Sequence, residues 1–270
     1  MIRKSGYTIV VCTCDAYQDA WVPFFTLLKR YWPGVNVPIV LNTETLAYQH
    51  EGLNILSTQL YKDYQHPVHL PWSRRLYETL SRYVDTDLVL LFLEDFFLKS
   101  PVNVECLGIA ERFIQSRGRI ANLLLFDAPK PYAPSEEYPW IVKRSKFSPY
   151  LFSLQAGFWR TERLRHFLRD HESPWYFERW GTIRARRYPD EFYALDTQKM
   201  TRPIFDYSPS VKGEGLSNGL WLQNTPTLFC VENIPVDLSI RGVMPVGWKP
   251  SQKKRNYIQT AWRIFLSLRP

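Results

Sequence analysis

Two adjacent carboxylates, Glu94 and Asp95, follow directly on the most hydrophobic stretch of the chain, Asp87-Leu-Val-Leu-Leu-Phe-Leu93. Placing neighbouring acids against such a core is unfavourable unless something cationic compensates them. A divalent ion carrying a phosphorylated ligand would do so. Mg²⁺ and Mn²⁺ take carboxylate and phosphate oxygens rather than thiols. The other solution is internal: Glu94 caps a turn and Asp95 pairs with an arginine. The sequel Phe96-Phe97 reads as packing.

The remaining chemistry-bearing residues exclude several classes. His50, His66, His69, His166 and His171 show no metal-ligand spacing. The four cysteines, Cys12, Cys14, Cys106 and Cys230, complete no zinc set. Cys12 and Cys14 sit two apart on an expected strand and point to one face, a geometry unsuited to a mutual disulfide. Reduced thiols in a cytoplasmic protein are therefore expected. The chain holds no GxxxxGK[ST] loop, no GxGxxG after its first strand and no GxSxG elbow. That argues against an NTPase, a dinucleotide oxidoreductase and an α/β-hydrolase.

The elements around the acids alternate. Tyr7 to Cys14 is a short, β-branched run of the kind found in a central parallel strand. Trp21 to Tyr31 has helical spacing, with Trp21, Phe24, Phe25 and Leu28 on one side, and Pro33-Gly34 stops it. Strands are expected at 37–41 and 53–56, a helix at 72–83, a strand at 87–93, a helix at 104–115 and a strand at 119–126. This order predicts an α/β fold with a mostly parallel central sheet and helices on both faces. Beyond Asp127 the pattern degrades. Residues 128–149 read as an irregular excursion, 151–159 as a strand and 162–170 as a helix. The segment 174–190 is aromatic and rich in Arg, and residues 203–225 are loop-rich with Gly213, Gly215 and Gly219.

The first strand with its exit Thr13-Cys14-Asp15-Ala16-Tyr17, the helix carrying Arg74 and Arg75, and the strand ending in Glu94-Asp95 together resemble GT-A glycosyltransferases. The likeness is to nucleotide-sugar-dependent enzymes of the bacterial polysaccharide type. It covers roughly residues 5–160 as a pattern. In that family the matching strand ends in a DxD-type motif that holds the metal and the nucleotide-sugar diphosphate. Here the acids are adjacent, Leu93-Glu94-Asp95-Phe96, without the acid-x-acid spacing. The resemblance implies that Asp95 binds Mn²⁺ or Mg²⁺ and that Glu94 contacts the sugar. It makes Thr13, Asp15 and Tyr17 candidates for the base and ribose of a UDP-linked donor, Tyr17 alternatively packing at a helix start. One of Arg74 and Arg75 would face the diphosphate, since adjacent helical residues point about 100° apart; the other would be a solvated charge.

The resemblance extends to later residues. A small-residue segment beside donor and acceptor would be Gln155-Ala156-Gly157, with Gln155 and Trp159 as sugar contacts. Small residues there also permit close approach of another strand. Inverting members carry an acidic general base in the region of Glu178, here flanked by Trp175, Tyr176, Phe177 and Trp180. Such a setting raises a carboxyl toward a useful range, unless Glu178 pairs with Arg179, Arg184 or Arg186. Trp180 is a further candidate contact on the acceptor side. A late loop closing over the diphosphate would supply Lys212, which otherwise is an exposed loop lysine.

The 270-residue chain carries a net charge of +8, and 45% of its residues are apolar. Those proportions exclude global disorder and favour acidic partners. No run approaches the roughly 18 apolar residues of a membrane span, and the first residues lack the order of a signal peptide. The expected organisation is a GT-A-like domain over 1–248 and a basic amphipathic helix over 249–270. The latter carries Lys249, Lys253, Lys254, Arg255, Arg263 and Arg269 and no acid. It reads either as a peripheral contact with the inner face of a membrane or as a helix docked on its own domain. No RRM, helix-turn-helix, KH or zinc-finger signature accompanies the charge, so nucleic acid is not expected. The expected partners are a nucleotide-sugar donor and a glycan or lipid-linked acceptor. Two rivals stay open. A sugar nucleotidylyltransferase would show a Gly-rich basic loop after the first strand, absent here. A non-catalytic carbohydrate-binding scaffold would tolerate the altered acid spacing.

Overall fold

The first strand, β1 (Lys4–Cys12), alternates between two hydrophobic layers. Ile9 and Val11 point to one, Val10 and Cys12 to the other. Both sets are apolar because the strand is covered on both sides, as a central strand requires. In the computed structural model, which describes residues 4–65, 68–207, 215–248 and 257–268, it is followed by α1 (Trp21–Tyr31), β2 (Ile39–Asn42), β3 (Ile55–Ser57), α2 (Trp72–Arg82) and β4 (Thr86–Leu93). Then come α3 (Val104–Gln115), β5 (Ile120–Asp127), β6 (Tyr132–Pro134), β7 (Ile141–Arg144), β8 (Gly157–Arg160) and α4 (Thr161–Phe167). The chain closes through α5 (Pro174–Ala185), β9 (Glu191–Leu195), the short hairpin β10 (Leu216–Ser217) and β11 (Leu220–Trp221), α6 (Thr225–Val231) and α7 (Tyr257–Leu268).

The main sheet has the order β3-β2-β1-β4-β8-β5-β9-β7-β6. The block from β3 to β4 is parallel, and β5 is parallel to β9. Between them β8 runs antiparallel to both neighbours. The sheet is therefore mixed, mostly parallel in its first half. Helices α1 and α3 pack on the face of Ile9, Val11, Leu88 and Phe92. Helices α2, α4 and α5 pack on the face of Val10, Val89 and Leu91. Helices thus lie on both faces, as the alternation predicts.

Several elements differ from the sequence reading: the stretch 128–149, read as irregular, contributes β6 and β7 to the sheet edge, and β9 follows α5. Residues 151–156 are irregular, and the strand expected over 151–159 is confined to β8. Its first residue is held tightly: a Cβ on Gly157 would meet the Leu123 carbonyl at 3.1 Å and Leu124 Cα at 3.2 Å. The small residues there serve the approach of β5. Helix α5 had no amphipathic signal, because its apolar and charged residues are scattered around all sides. Its start signal was present: Ser173 caps the helix, accepting from the Tyr176 N–H, and Pro174 follows at the first helical position.

Candidate functional site

Strand β1 pairs β2 on one side and β4 on the other, so the chain reverses its direction of winding between β1 and β4. Ligands of open parallel sheets bind beyond the carboxyl ends of the strands at such a point. The register pairs Cys12 with Leu93, so Thr13 and Glu94 leave the sheet side by side.

Thr13 is fixed from two directions. Trp21 Nε1 donates to its hydroxyl at 2.9 Å, and Arg75 Nη1 donates to its carbonyl at 2.9 Å. The Arg75 guanidinium also lies 3.5 Å from Glu44 Oε1 and is buried. Arg75 therefore faces inward under the β1 exit and balances the acids there through the protein. Arg74 takes the outer side of α2 and pairs with Glu78 at 2.6 Å and Asp170 at 3.1 Å. It is a surface charge, whereas Arg75 is buried against the β1 exit.

Glu94 and Asp95 are each 8% exposed. Burial, with the neighbouring Asp95 carboxylate second, pushes Glu94 up to about 8; a hydrogen bond with Thr13 and the Arg75 charge work in the opposite direction. Asp95 is clamped by a segment distant in sequence. The Leu216 N–H donates to Asp95 Oδ2 at 3.2 Å, and the Gly215 N–H donates to the Asp95 carbonyl at 3.0 Å. Only glycine fits at 215, since a Cβ would stand 2.4 Å from the Phe97 ring. Thr225 Oγ1 donates to the Gly215 carbonyl at 2.9 Å and seats the turn.

Asp15 works inside the protein. Its carboxylate accepts from the N–H groups of Glu44 at 2.9 Å, Thr45 at 2.8 Å and Leu46 at 3.1 Å, and from the Thr45 hydroxyl at 2.6 Å. It ties the β1 exit loop to the β2 exit loop. Tyr17 is half-buried on the rim. Burial first, then the Glu94 charge, raise its phenol. Its ring lies 4.6 Å under the guanidinium of Arg241, which also covers Trp221 at 5.5 Å. Arg241 is held by a two-point pair with Asp19 and donates to the Ala16 carbonyl at 2.9 Å. The sequence reading missed Arg241 because no local motif marks it; only the fold brings it to the β1 exit.

On the far side of β4 the wall is Gln155, just before β8. The Tyr207 hydroxyl donates to Gln155 Oε1 at 2.7 Å and accepts from the Ala156 N–H at 3.3 Å. Its ring stacks on Phe96 at 4.8 Å. Glu178 reaches the same segment, Leu154 N–H donating to its Oε1 at 2.8 Å. Gln155 and Glu178 are thus joined through one loop. Trp159 is a correction: it is fully buried, packed against Phe152 and Phe177, and no sugar reaches it. Trp180 is half-buried beneath the Arg179 guanidinium at 5.1 Å. Lys212 lies outside the described residues.

Among the described residues, no group of three or more His, Cys, Asp or Glu side chains is arranged to hold a metal ion. The two acids alone still suit a magnesium-type ion, which is commonly held by one or two carboxylates and the phosphates of its ligand.

No family model matches the sequence, and no curated protein matches it. Among solved structures the chain is similar to S. aureus TarS 1–349, at 16% identity and a TM-score of 0.43, over 70% of this chain and 60% of that one. An active-site mutant of LgtC aligns at 11% identity and a TM-score of 0.37, over 59% of each chain. A cytidylyltransferase from Leptospira borgpetersenii serovar Hardjo-bovis aligns at 10% identity and a TM-score of 0.40, over 93% of this chain and 100% of that one. The chain therefore spans about three fifths of the first two.

Proposed function

We propose that this chain is a GT-A-like glycosyltransferase that moves a sugar from a nucleotide donor, UDP-linked, to a hydroxyl of a glycan or lipid-linked oligosaccharide. The observation that carries the reading is the buried pair of adjacent carboxyls Glu94–Asp95 at the winding reversal of the sheet, Glu94 raised by burial and by its acidic neighbour. Two adjacent buried carboxyls favour a cation-bearing diphosphate over a neutral ligand. Glu94 and Asp95 are the residues that would hold Mn²⁺ or Mg²⁺, and the ion would supply charge stabilisation for a departing diphosphate.

The chain's own residues have separable tasks. Thr13, locked by Trp21 and Arg75, fixes the β1 exit against which the donor lies. Tyr17 offers an aromatic surface for the base, its position set by Arg241. Asp15 positions the loop through Glu44–Leu46 rather than by touching the donor. Gln155 stands on the acceptor side, oriented by Tyr207. With inversion, Glu178 is the group that takes the acceptor proton, its one oxygen steadied by the Leu154 N–H.

Calorimetry of UDP with Mn²⁺ tests the donor assignment. Asp95→Ala is expected to weaken binding at least tenfold while the chain stays folded. Equal affinities for wild type and variant remove Asp95 from the donor site. Release of UDP from a nucleotide sugar, with or without acceptor, separates a transferase from a carbohydrate-binding scaffold, which stays silent across a broad donor panel.

A further inference from the structure

A cavity of about 530 Å³ lies between the carboxyl end of α1 and helix α3, away from the acid pair. Tyr7 of β1 lines it on the sheet side. Tyr7 stands five residues before Cys12, so at about 3.3 Å per residue the cavity is about 16 Å down the strand from its exit. Tyr31 and Trp32 form one wall, and Val104, Leu107 and Glu111 of α3 the other. The two walls are tied where the Val102 N–H donates to the Tyr31 carbonyl at 2.9 Å. Gly108 keeps the space open: a Cβ there would meet Arg112 Nη1 at 3.3 Å and nothing of α1.

Glu111 is the one charged side chain of the lining. It is half-buried, and among the described residues it makes no ion pair. Gln115 Nε2 donates to its Oε1 at 2.9 Å. Burial raises its carboxyl, against which the Gln115 hydrogen bond and then the Arg112 charge act. Arg112 itself is exposed and lies beside Gly108. The Tyr7 phenol is raised first by burial and then by the Glu111 charge; both groups line the same space.

These features select among ligands. A polyol would leave hydroxyls unpaired against Val102, Val104 and Leu107. An anion would meet Glu111. A neutral apolar body would bury that carboxyl deeper and leave it without a partner. A positive charge on an apolar body suits both the carboxylate and the aromatic wall, since ammonium groups are attracted to ring faces. The volume falls within the range of about 300–1,000 Å³ for small-molecule sites. We propose that this cavity binds a small organic cation, an ammonium group on an apolar or aromatic body, with Glu111 as its counter-charge. The inference goes beyond the transferase reading and stands without it, since neither Glu94 nor Asp95 takes part.

The probes are phenethylamine, phenethyl alcohol and phenylacetate, which share one ring and differ in charge. Calorimetry and saturation-transfer NMR on the full chain are expected to show the amine binding in the millimolar range, the alcohol about tenfold weaker and phenylacetate unbound. Glu111→Gln keeps an oxygen for Gln115 and removes the charge. It should weaken the amine about tenfold and leave the alcohol unchanged, with an unchanged melting temperature. Val104→Trp, at a position 58% exposed, narrows the opening and should weaken amine and alcohol alike. Asp95→Ala should leave amine affinity as in wild type, which keeps this site apart from the strand-end acids. Absence of amine binding overturns the proposal. So does equal affinity for amine and alcohol, or an amine affinity that neither Glu111→Gln nor Val104→Trp changes.

Discussion

The proton on Glu94 can be counted. With its midpoint near 8, about 90% of Glu94 is protonated at pH 7 and about half at pH 8. A divalent ion needs the carboxylate, so loading the site must expel that proton. Titrating Mn²⁺ with UDP into the protein should release about 0.9 proton at pH 7, about 0.5 at pH 8 and about 0.1 at pH 9 from this group. The assay is isothermal calorimetry in Pipes, Hepes and Tris at one pH, where the slope of the enthalpy against buffer ionisation enthalpy gives the number. Glu94→Gln should remove the slope. The same group sets a stability trend in the free protein. Its folded value is raised, so the unfolded chain ionises first as pH climbs, and stability falls between about pH 4.5 and 8 and then levels. Going from the ordinary 4.5 to about 8, at about 1.4 kcal/mol per pH unit, sets an upper bound of about 5 kcal/mol. Urea unfolding from pH 5 to 9 should show this decline in wild type and not in Glu94→Gln. Parallel stability curves, together with an enthalpy independent of buffer at pH 7, would refute the reasoning.

Other substitutions probe the parts that hold the site. Gly215→Ala forces a methyl toward the Phe97 ring, 2.4 Å from the ideal Cβ position; it should cost about 1–3 kcal/mol in urea unfolding and lower donor affinity by displacing the clamp on Asp95. Arg184→Ala leaves the fully buried Glu172 without its partner, at a cost of about 3–5 kcal/mol, and should increase proteolysis within α7. Glu178→Gln keeps an oxygen for the Leu154 N–H but removes the base. Turnover is expected to fall about 10²–10⁴-fold with donor affinity unchanged, whereas turnover within a few fold of wild type would leave Glu178 a positioning residue only.

The first half of the fold was legible because each element there carries its own period. Helices at Trp21–Tyr31 and Val104–Gln115 agree with their patterns residue for residue, and the strand before Glu94 is apolar enough to admit one reading. The second half was less legible for physical reasons. Segment 151–156 is apolar without being regular, because it is buried by neighbours rather than by pairing in a sheet. Helix α5 packs against α2, α4 and α7 while exposing Trp175 and Arg179, so apolar and charged residues fall on both its buried and its solvent sides and hydropathy cannot separate them.

The candidate site divides along the same line. Residues at the strand exits, Thr13, Glu94 and Asp95, follow from the sheet alone, because parallel strands must end together. Their restraints do not: Arg75, Gly215, Leu216 and Arg241 reach the exits from elements far apart in sequence. That separation has a mechanical consequence. Asp95 is gripped by the N–H groups of Gly215 and Leu216, so any ligand that loads the acid pair acts directly on those two residues. Arg241 ties Asp19, Ala16 and Tyr17 to the Gly219 turn of the β10–β11 hairpin. Donor contact at Tyr17 and charge neutralisation at Asp95 therefore converge on one hairpin, and the two events should be energetically coupled. Double-mutant analysis of Tyr17→Ala and Asp95→Asn should give a non-additive loss of donor affinity; strictly additive losses would separate the two ends of the cleft.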